Sequence, residues 1–137
     1  MIGTAGAGKK EFVESLGVTH VEPGPGVADR LRAAAPDGID AIYDLVGGSA
    51  LEDATQVLAD RSKLISAADR DTVARLGGSP VARARTRSVL DTVAELAVAG
   101  VLRPFVTATY PLAQASQALR AVEAGHAQGK IVIEVAP

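Results

Sequence analysis

The sequence predicts an α/β protein built on a mainly parallel, doubly wound sheet. Short strand-like runs alternate with helix-like segments along almost the whole chain, which is typical of right-handed β-α-β units. Glycines follow most of these segments, where the backbone must turn sharply. Alanine, valine and leucine dominate, whereas aromatic residues make up only 3% of the chain. Small aliphatic side chains of this kind suit packing between helices and a sheet.

The predicted elements follow one another with short connections. Strands are predicted at residues 1–4, 18–22, 38–46, 63–67, 79–84, 105–110 and 130–135. Helices are predicted at residues 9–16, 27–35, 50–58, 69–76, 87–99 and 111–124.

Local signals bound the first two helices. Gly17 ends the first one, because glycine adopts the left-handed conformation of a helix end at little cost. A Pro-Gly-Pro-Gly loop comes before the second helix, in which Val27, Leu31 and Ala35 recur at helical spacing. Pro36 then ends that helix, since proline cannot continue the hydrogen-bonding pattern.

The middle of the chain carries the clearest start signals. Gly47 and Gly48 mark a sharp turn from the third strand into a helix. Ser49, with Glu52 three residues later, predicts a capping box for that helix. Asp69 is a candidate cap for the next helix.

The longest helix is predicted to start at Thr86 and to stop at Gly100. Its apolar residues recur at helical spacing and predict one apolar stripe. They are Leu90, Val93, Ala94, Ala97 and Val98.

Composition excludes several classes of function. The chain has 137 residues, 22% of them charged, and its 14 basic and 16 acidic residues are spread along it. No basic patch indicates nucleic-acid binding, and no apolar run is long enough for a membrane span. Cysteine is absent, which removes thiol chemistry and fits a reducing compartment. We therefore expect a cytoplasmic protein that binds neither nucleic acid nor a membrane.

Residues 3–10, GTAGAGKK, nearly match the phosphate-binding loop of nucleotide hydrolases, GxxxxGK[ST]. The last position of that motif needs a hydroxyl group for Mg²⁺, and Lys10 stands there instead. A full strand should also precede the loop, and only Met1 and Ile2 do. The hydrolase function is thus a disfavoured alternative.

Five stretches in a fixed order carry a family resemblance. They are IGTAGAGKKEFVESLGVTHV, GIDAIYDLVGGSALEDA, SKLISAAD, LAVAGVLRPFVTATYPLAQASQAL and GHAQGKIVI. In this order the chain resembles, over essentially its whole length, the C-terminal portion of medium-chain dehydrogenases and reductases. The similar members are NADP-dependent quinone oxidoreductases and zinc-type alcohol dehydrogenases.

The resemblance implies an incomplete Rossmann-like sheet that lacks the first strand and its Gly-rich turn. Residues 1–103 would form a partial NAD(P)-binding domain, and residues 104–137 the segment that returns to a GroES-like catalytic domain. Since the strand order of such a sheet is 3-2-1-4-5-6, the missing strand leaves a central gap. We expect the chain either to close this gap or to obtain a strand from a partner.

The resemblance also implies a site for the adenosine end of the cofactor at Thr4, Gly6, Lys9 and Lys10. No acidic residue stands there to bind the 2′-hydroxyl of NAD. Lys10 falls where quinone oxidoreductases pair a lysine with the 2′-phosphate, so NADP is favoured over NAD. The alternative is that both lysines are simply the solvated first turn of a helix.

A second group of residues would lie near the nicotinamide. By the resemblance, Val46 and Gly47 lie under the nicotinamide ribose, and Ser66 and Ala67 face the ring. Ligands of open α/β sheets bind at the carboxyl ends of strands, which fits these positions. The alternative is that the glycine only permits a tight turn.

No catalytic residue and no metal site are predicted. His20 and His126 are too few and too far apart for zinc, which takes three or four protein ligands, and we expect both to be structural or solvent-facing.

The expected function is that of the C-terminal portion of an NAD(P)H-dependent oxidoreductase, of the quinone or activated-carbonyl reductase type. Its substrate would be a small molecule, and the isolated chain would be weakly active or inactive. The expected partner is a second copy of the chain or a missing N-terminal half. The alternative is a non-catalytic interaction module from a split reductase.

Overall fold

A computed structural model describes residues 1–125 and 127–135 and confirms the predicted alternation of strands and helices. The strands in these residues are β1 (Ile2–Thr4), β2 (Thr19–Val21), β3 (Ile42–Asp44), β4 (Leu64–Ser66), β5 (Ser79–Pro80), β6 (Val106–Pro111) and β7 (Lys130–Glu134). The α-helices are α1 (Lys10–Ser15), α2 (Val27–Ala34), α3 (Gly48–Thr55), α4 (Arg70–Arg75), α5 (Arg87–Val98) and α6 (Ala115–Glu123). Short 3-10 turns occupy Ala7–Lys9, Arg61–Lys63 and Leu112–Gln114.

The chain divides into two compact units, Met1–Arg83 and Ala84–Pro137. The first unit contains β1 to β5 with α1 to α4, and the second contains α5, α6, β6 and β7. The boundary predicted between residues 103 and 104 is a different division, because it marks where the chain would return to a catalytic domain. That boundary stays a prediction.

The strands of the first unit form two parallel sheets. Strands β1 and β2 pair with each other, while β4 lies between β3 and β5. Among the described residues no pairing joins β1 to β3, so the central gap predicted for the sheet stays open. The expectation that the chain closes this gap itself is wrong. Each of the two facing strands is only three residues long, so their edges offer few backbone hydrogen bonds to drive such a pairing.

Two apolar clusters pack against these sheets. One joins α3 and α4 to β4 through Leu51, Leu64 and Val73, which are 1% exposed or less. The other joins β2 to α2 through Val21, Val27 and Leu31. Complete burial of side chains of this size contributes about 1.5–3 kcal/mol each, so these clusters hold the helices on one face of each sheet.

The start of α3 corrects the predicted capping box. The helix begins at Gly48, two residues earlier than a box with Ser49 as its N-cap requires, and no side chain caps it at Gly47. Ser49 therefore lies inside the first turn, and its pairing with Glu52 is wrong. The predicted caps at Asp69 and Thr86 are confirmed, since they accept hydrogen bonds from the Thr72 and Val89 amides.

Several strands are shorter than predicted. The strand expected at residues 38–46 is reduced to Ile42–Asp44, with one isolated bridge from Ile39 to Leu58. The strand expected at residues 79–84 is only Ser79–Pro80. Apolar character persists beyond the paired residues, which explains the longer predictions.

The second unit is built around a parallel pair of strands. Strand β6 pairs with β7, with a bulge between Val106 and Ala108, and α6 packs against β7. The apolar stripe predicted for α5 exists in sequence, but none of the residues of Arg87–Val98 is buried.

Candidate functional site

The carboxylate of Asp44 is the centre of a hydrogen-bonded turn after β3. Asp44 is 8% exposed, and its Oδ1 accepts hydrogen bonds from the amides of Val46 and Gly47, each at 3.0 Å. Its Oδ2 accepts from the Gly47 amide at 3.1 Å and from the Ser66 hydroxyl at 2.5 Å. The turn that follows β3 is thus folded around one buried carboxylate.

Ser66 links this turn to the next strand. While its Oγ donates to Asp44, it accepts hydrogen bonds from the amides of Ala68 at 3.1 Å and Asp69 at 3.0 Å. The backbone after β4 therefore has a fixed path beside the backbone after β3. Ser66 is 2% exposed, so its hydroxyl is shielded from solvent and stabilises the two turns through these hydrogen bonds.

Asp69 ties the two turns together a second time. Its Oδ1 caps α4 by accepting from the Thr72 amide at 3.0 Å, and its Oδ2 accepts from the Gly48 amide at 3.1 Å. These backbone hydrogen bonds, that of Thr72 first and that of Gly48 second, hold the pKa of Asp69 below its ordinary value. The carboxylate of Asp69 thus accepts backbone hydrogen bonds at the start of α4 and at the start of α3.

Gly47 has a conformation that only glycine adopts readily. Its φ is 78° and its ψ is −167°, and a Cβ atom there would lie 2.6 Å from the Cβ of Asp69. Close packing of the two turns therefore requires glycine at this position.

The outer surface of these turns is open. Val46 is 73% exposed, and Ala67 is partly exposed, with its carbonyl accepting a hydrogen bond from Arg83. Of the four residues predicted near the nicotinamide, Val46 and Ala67 can contact a ligand, whereas Gly47 and Ser66 are buried and shape the turn.

The turn after β1 carries the other predicted residues. Its backbone is held to β2 by the Ala5 amide, which donates to the Val21 carbonyl at 3.2 Å. The Nε2 of His20 donates to the Ala5 carbonyl at 2.6 Å, which gives this partly buried histidine a structural role. The prediction for His20 is confirmed, while His126 lies outside the described residues.

Lys9 and Lys10 stand where the turn enters α1. Lys10 is exposed, and its Nζ lies 4.0 Å from the Glu14 carboxylate, a spacing that makes a weak surface ion pair. Cβ atoms added at Gly6 or Gly8 would meet nothing within 4 Å, so the space above this turn is open. The turn can therefore admit a ligand to the side chain of Lys10.

A neighbouring loop is held rigid by one arginine. The guanidinium of Arg30 donates to carbonyls of the Pro-Gly loop at distances from 2.9 to 3.3 Å. The acceptors are Glu22, Pro23, Gly24 and Pro25. This loop connects β2 to α2 and had no functional signal in the sequence.

A cleft of about 760 Å³ lies between β1 and β3, where the central gap was predicted. Thr4 and Val46, one from each group of predicted cofactor residues, both line it. The structure thus brings these two together, while Gly6, Lys9 and Lys10 do not line this cleft.

Zinc ligands are not assembled in the described residues. No three or more His, Asp or Glu side chains in residues 1–125 and 127–135 are placed to hold a metal ion. The chain has no cysteine, and the Nε2 of His20 is occupied by a backbone carbonyl.

Known structures share this fold. The quinone oxidoreductase from Coxiella burnetii matches over 98% of this chain and 44% of its own, with a TM-score of 0.78 and 21% sequence identity. The fold is that of the C-terminal, Rossmann-like domain of medium-chain dehydrogenases and reductases.

Sequence comparison gives the family. Residues 8–133 match the family model described as zinc-binding dehydrogenase. The chain is 29% identical to a probable mitochondrial zinc-binding oxidoreductase of Arthroderma benhamiae, over 98% of this chain and 44% of that protein. It is 48% identical over 46 residues, 34% of this chain, to the human mitochondrial NAD(P)H oxidoreductase RTN4IP1, of which this covers 12%. The chain belongs to the zinc-binding dehydrogenase family and spans less than half the length of these relatives.

Within the described residues, none of the helices has the length and apolar character that a membrane span requires.

Proposed function

We propose that the chain is the C-terminal, nucleotide-binding portion of an NAD(P)H-dependent oxidoreductase that reduces a quinone or an activated carbonyl compound. The observation that carries this proposal is the pair of turns that follow β3 and β4, locked together by Asp44, Ser66 and Asp69. Family membership and the NAD(P)H oxidoreductase relative support the choice of a nicotinamide cofactor.

The residues fit two ends of that cofactor. The turn from Thr4 to Lys10 has open space and an exposed lysine for the adenosine ribose and its 2′-phosphate, with Gly6 permitting close approach. Val46 and Ala67 offer exposed surface for the nicotinamide ribose and ring, over the frame that Gly47 and Ser66 provide. Lys9 is partly buried and is assigned the lesser share of the phosphate contact.

NADP is the proposed form of the cofactor. No carboxylate stands between Thr4 and Lys10 to accept hydrogen bonds from the 2′-hydroxyl of NAD. A lysine charge there would instead be attracted to a 2′-phosphate. No zinc takes part in this proposal.

The chain contributes position and shape to the reaction. When bound, the nicotinamide supplies hydride to the substrate. The buried hydroxyl of Ser66 and the carboxylate of Asp44 hold the backbone of the two turns in place, and these turns would position the nicotinamide ring. No described residue is assigned a proton-transfer role.

Activity of the chain alone should be weak or absent. A Rossmann domain holds the cofactor diphosphate mainly on the Gly-rich turn after its first strand, and the described residues are proposed not to include that turn. The substrate pocket beside the nicotinamide would likewise lie largely outside these residues. Such a chain works as a homo-oligomer or together with an N-terminal half, and we propose a cytoplasmic location.

Titration of NADPH fluorescence with the purified chain tests this proposal. We expect dissociation constants in the millimolar range, about 4 kcal/mol of binding free energy, and weaker binding still for NADH. Micromolar binding by the chain alone would overturn the claim that the diphosphate site is incomplete. Magnesium-dependent ATP hydrolysis would instead favour the nucleotide hydrolase.

A non-catalytic interaction module is the second candidate, and the open cleft between β1 and β3 favours it. Such a module would bind a polypeptide without binding NADPH at any concentration tested. Measuring both ligands on one preparation separates the two functions.

A further inference from the structure

The segment after β5 brings an arginine to the edge of the sheet where the two turns lie. The guanidinium of Arg83 donates a hydrogen bond to the carbonyl of Ala67. Ala67 comes directly after β4 and is one of the residues proposed to contact the nicotinamide. The side chain of Arg83 therefore reaches back across the carboxyl ends of β5 and β4.

Backbone contacts hold this segment close to β4. Ser66 and Pro80 are paired in register, and the Val81 amide donates to the Ser66 carbonyl at 2.9 Å, which extends the pairing past the end of β5. Before β5, a Cβ atom at Gly78 would lie 2.5 Å from a backbone carbonyl oxygen of β4, so glycine permits a close approach of the two strands. Arg83 thus follows closely after a backbone whose position is fixed.

The charge of Arg83 is available to a ligand. Among the residues that the structure describes, the Arg83 guanidinium forms no ion pair with a carboxylate. Asp44 and Asp69, in the adjoining turns, already accept hydrogen bonds from backbone amides. A guanidinium has five N–H groups and keeps its positive charge, so the hydrogen bond to Ala67 leaves most of its donors unused. The side chain is exposed, and a ligand can reach it.

The strand order separates this charge from the cofactor diphosphate. In the proposed function the diphosphate joins the turn after β1 to the turns after β3 and β4, so it lies on the side of β3 that faces the cleft. Strand β4 lies between β3 and β5, and neighbouring strands are about 4.8 Å apart. Arg83 therefore lies on the other side of the nicotinamide turns. A charge there meets whatever lies beside the nicotinamide ring, where a substrate must lie to accept hydride.

The residues near Arg83 favour a flat, apolar ligand that carries an oxygen atom. Ala68 and Ala82 adjoin the hydrogen-bonded pair in sequence, and both are small and exposed. The Val46 side chain, in the neighbouring turn, is 73% exposed. This surface leaves room for a ring, and the guanidinium binds an anionic oxygen more strongly than a neutral one.

We propose that Arg83 is a catalytic residue that binds the carbonyl oxygen of the substrate and stabilises the negative charge which that oxygen acquires during reduction. This rests on the proposed function and adds the group that recognises the substrate. When hydride from the reduced nicotinamide adds to a carbon conjugated with the carbonyl group, a π electron pair moves onto the carbonyl oxygen and leaves an enolate. The guanidinium donates hydrogen bonds to this oxygen and keeps its own protons, and water supplies the proton that completes the product.

Binding of an anionic ring compound tests the proposal without turnover. The probe is para-nitrophenolate in a mildly alkaline buffer, because it is a planar ring with negative charge on an oxygen. Its matched control is the methyl ether para-nitroanisole, which keeps the ring and the nitro group but not the charge. Nuclear magnetic resonance titration of the full labelled chain follows the amide signal of Ala67. We expect the phenolate to bind at least about fivefold more tightly than the ether.

Variants of Arg83 separate recognition of the charge from a structural role. Arg83→Gln removes the charge and should weaken binding of the phenolate about fivefold, while binding of the ether stays unchanged. Arg83→Lys keeps a charge but not the planar fork of donors, and should retain part of the preference. Arg120→Gln, which removes an exposed arginine from α6, is the control and should change neither affinity. Urea unfolding shows that each variant is folded.

Two results would overturn the proposal directly. Equal binding of the phenolate and the ether by the unaltered chain would show that Arg83 does not recognise an anionic oxygen. Equal losses of both ligands in the Arg83→Gln chain would show that the arginine only ties the segment after β5 to β4.

A parallel titration with NADP⁺ separates this proposal from the proposed function. Shifts of the Val46 and Ala67 signals with NADP⁺, without a preference for the phenolate, would reject the role of Arg83 and leave the proposed function standing. A preference for the phenolate without NADP⁺ binding would reject the proposed function, and with it the assignment of this site to a substrate. Both NADP⁺ binding and the preference, lost together with the charge of Arg83, are the expected result.

Discussion

The hydroxyl of Ser66 donates to the carboxylate of Asp44 across neighbouring strands, with 2.5 Å between Oγ and Oδ2. Both residues end their strands, in a register that pairs Asp44 with Ser66. This hydrogen bond makes one rigid surface of the two turns proposed to lie beneath the nicotinamide.

Replacing Asp44 should destabilise the chain. Asp44→Ala leaves the amides of Val46 and Gly47 and the hydroxyl of Ser66 without their acceptor, and we expect a loss of about 2–4 kcal/mol in the free energy of unfolding. Asp44→Asn keeps one acceptor oxygen and should lose less. Urea unfolding measures both, and equal losses for the two variants would contradict the role given to the carboxylate.

Gly47 and Gly48 form a matched pair for the backbone argument. Gly47→Ala places a methyl group against Asp69 in a conformation nearly closed to other residues, and we expect a loss of about 3 kcal/mol. Gly48 has a φ of 56° with open space around it, so Gly48→Ala should lose only about 1 kcal/mol. Thermal or urea unfolding that gave the reverse order would refute the packing of the two turns.

Asp69 should make stability depend on pH in the acid range. Because its pKa is lowered in the folded chain, its contribution is fully present above the unfolded pKa of about 3.9 and is lost as the pH falls through the folded value. Asp69→Asn removes the titration but keeps a capping oxygen. The difference in the free energy of unfolding between the unaltered chain and Asp69→Asn should be largest near neutral pH and should shrink below about pH 4. A constant difference from pH 7 to pH 2 would show that ionisation of Asp69 is not involved.

Lys10 should determine the preference for the 2′-phosphate. Lys10→Ala is expected to weaken NADPH binding about two- to fivefold and to leave NADH binding unchanged, since an exposed ion pair contributes up to about 1 kcal/mol. Lys63→Ala, in a 3-10 turn before β4, is the control for lost surface charge. Equal effects of Lys10→Ala on NADPH and NADH binding would show that Lys10 does not recognise the 2′-phosphate and is simply a solvated residue in the first turn of α1.

Local chemistry accounts for the parts of the fold that the sequence predicts. Glycine stops and apolar spacing locate every described strand and helix, and the caps at Asp69 and Thr86 follow from residue type alone. The gap between β1 and β3 follows from the strand order that the family resemblance implies.

The tertiary contacts of the site are harder to predict. Asp44 could have been singled out, because an acidic residue that ends an apolar strand before two glycines is an unusual buried charge. The bond from Asp69 to Gly48 spans 21 positions and depends on how two strands align, which no local pattern encodes. The apolar stripe of α5 shows the converse, since its periodicity is plain in the sequence and yet none of its residues is buried.

The central claim is that the turns after β1 and after β3 and β4 bind opposite ends of one nicotinamide cofactor. Nuclear magnetic resonance titration of the isotopically labelled chain tests it most directly, because weak binding still shifts amide signals. With NADPH we predict that the amide signals of two groups of residues shift together. The first group is residues 4–10, and the second is Val46, Gly47, Ser66 and Ala67. With NADH we predict smaller shifts at Lys10. Shifts confined to other residues, or shifts at Thr4 to Lys10 that require magnesium and ATP, would contradict the account.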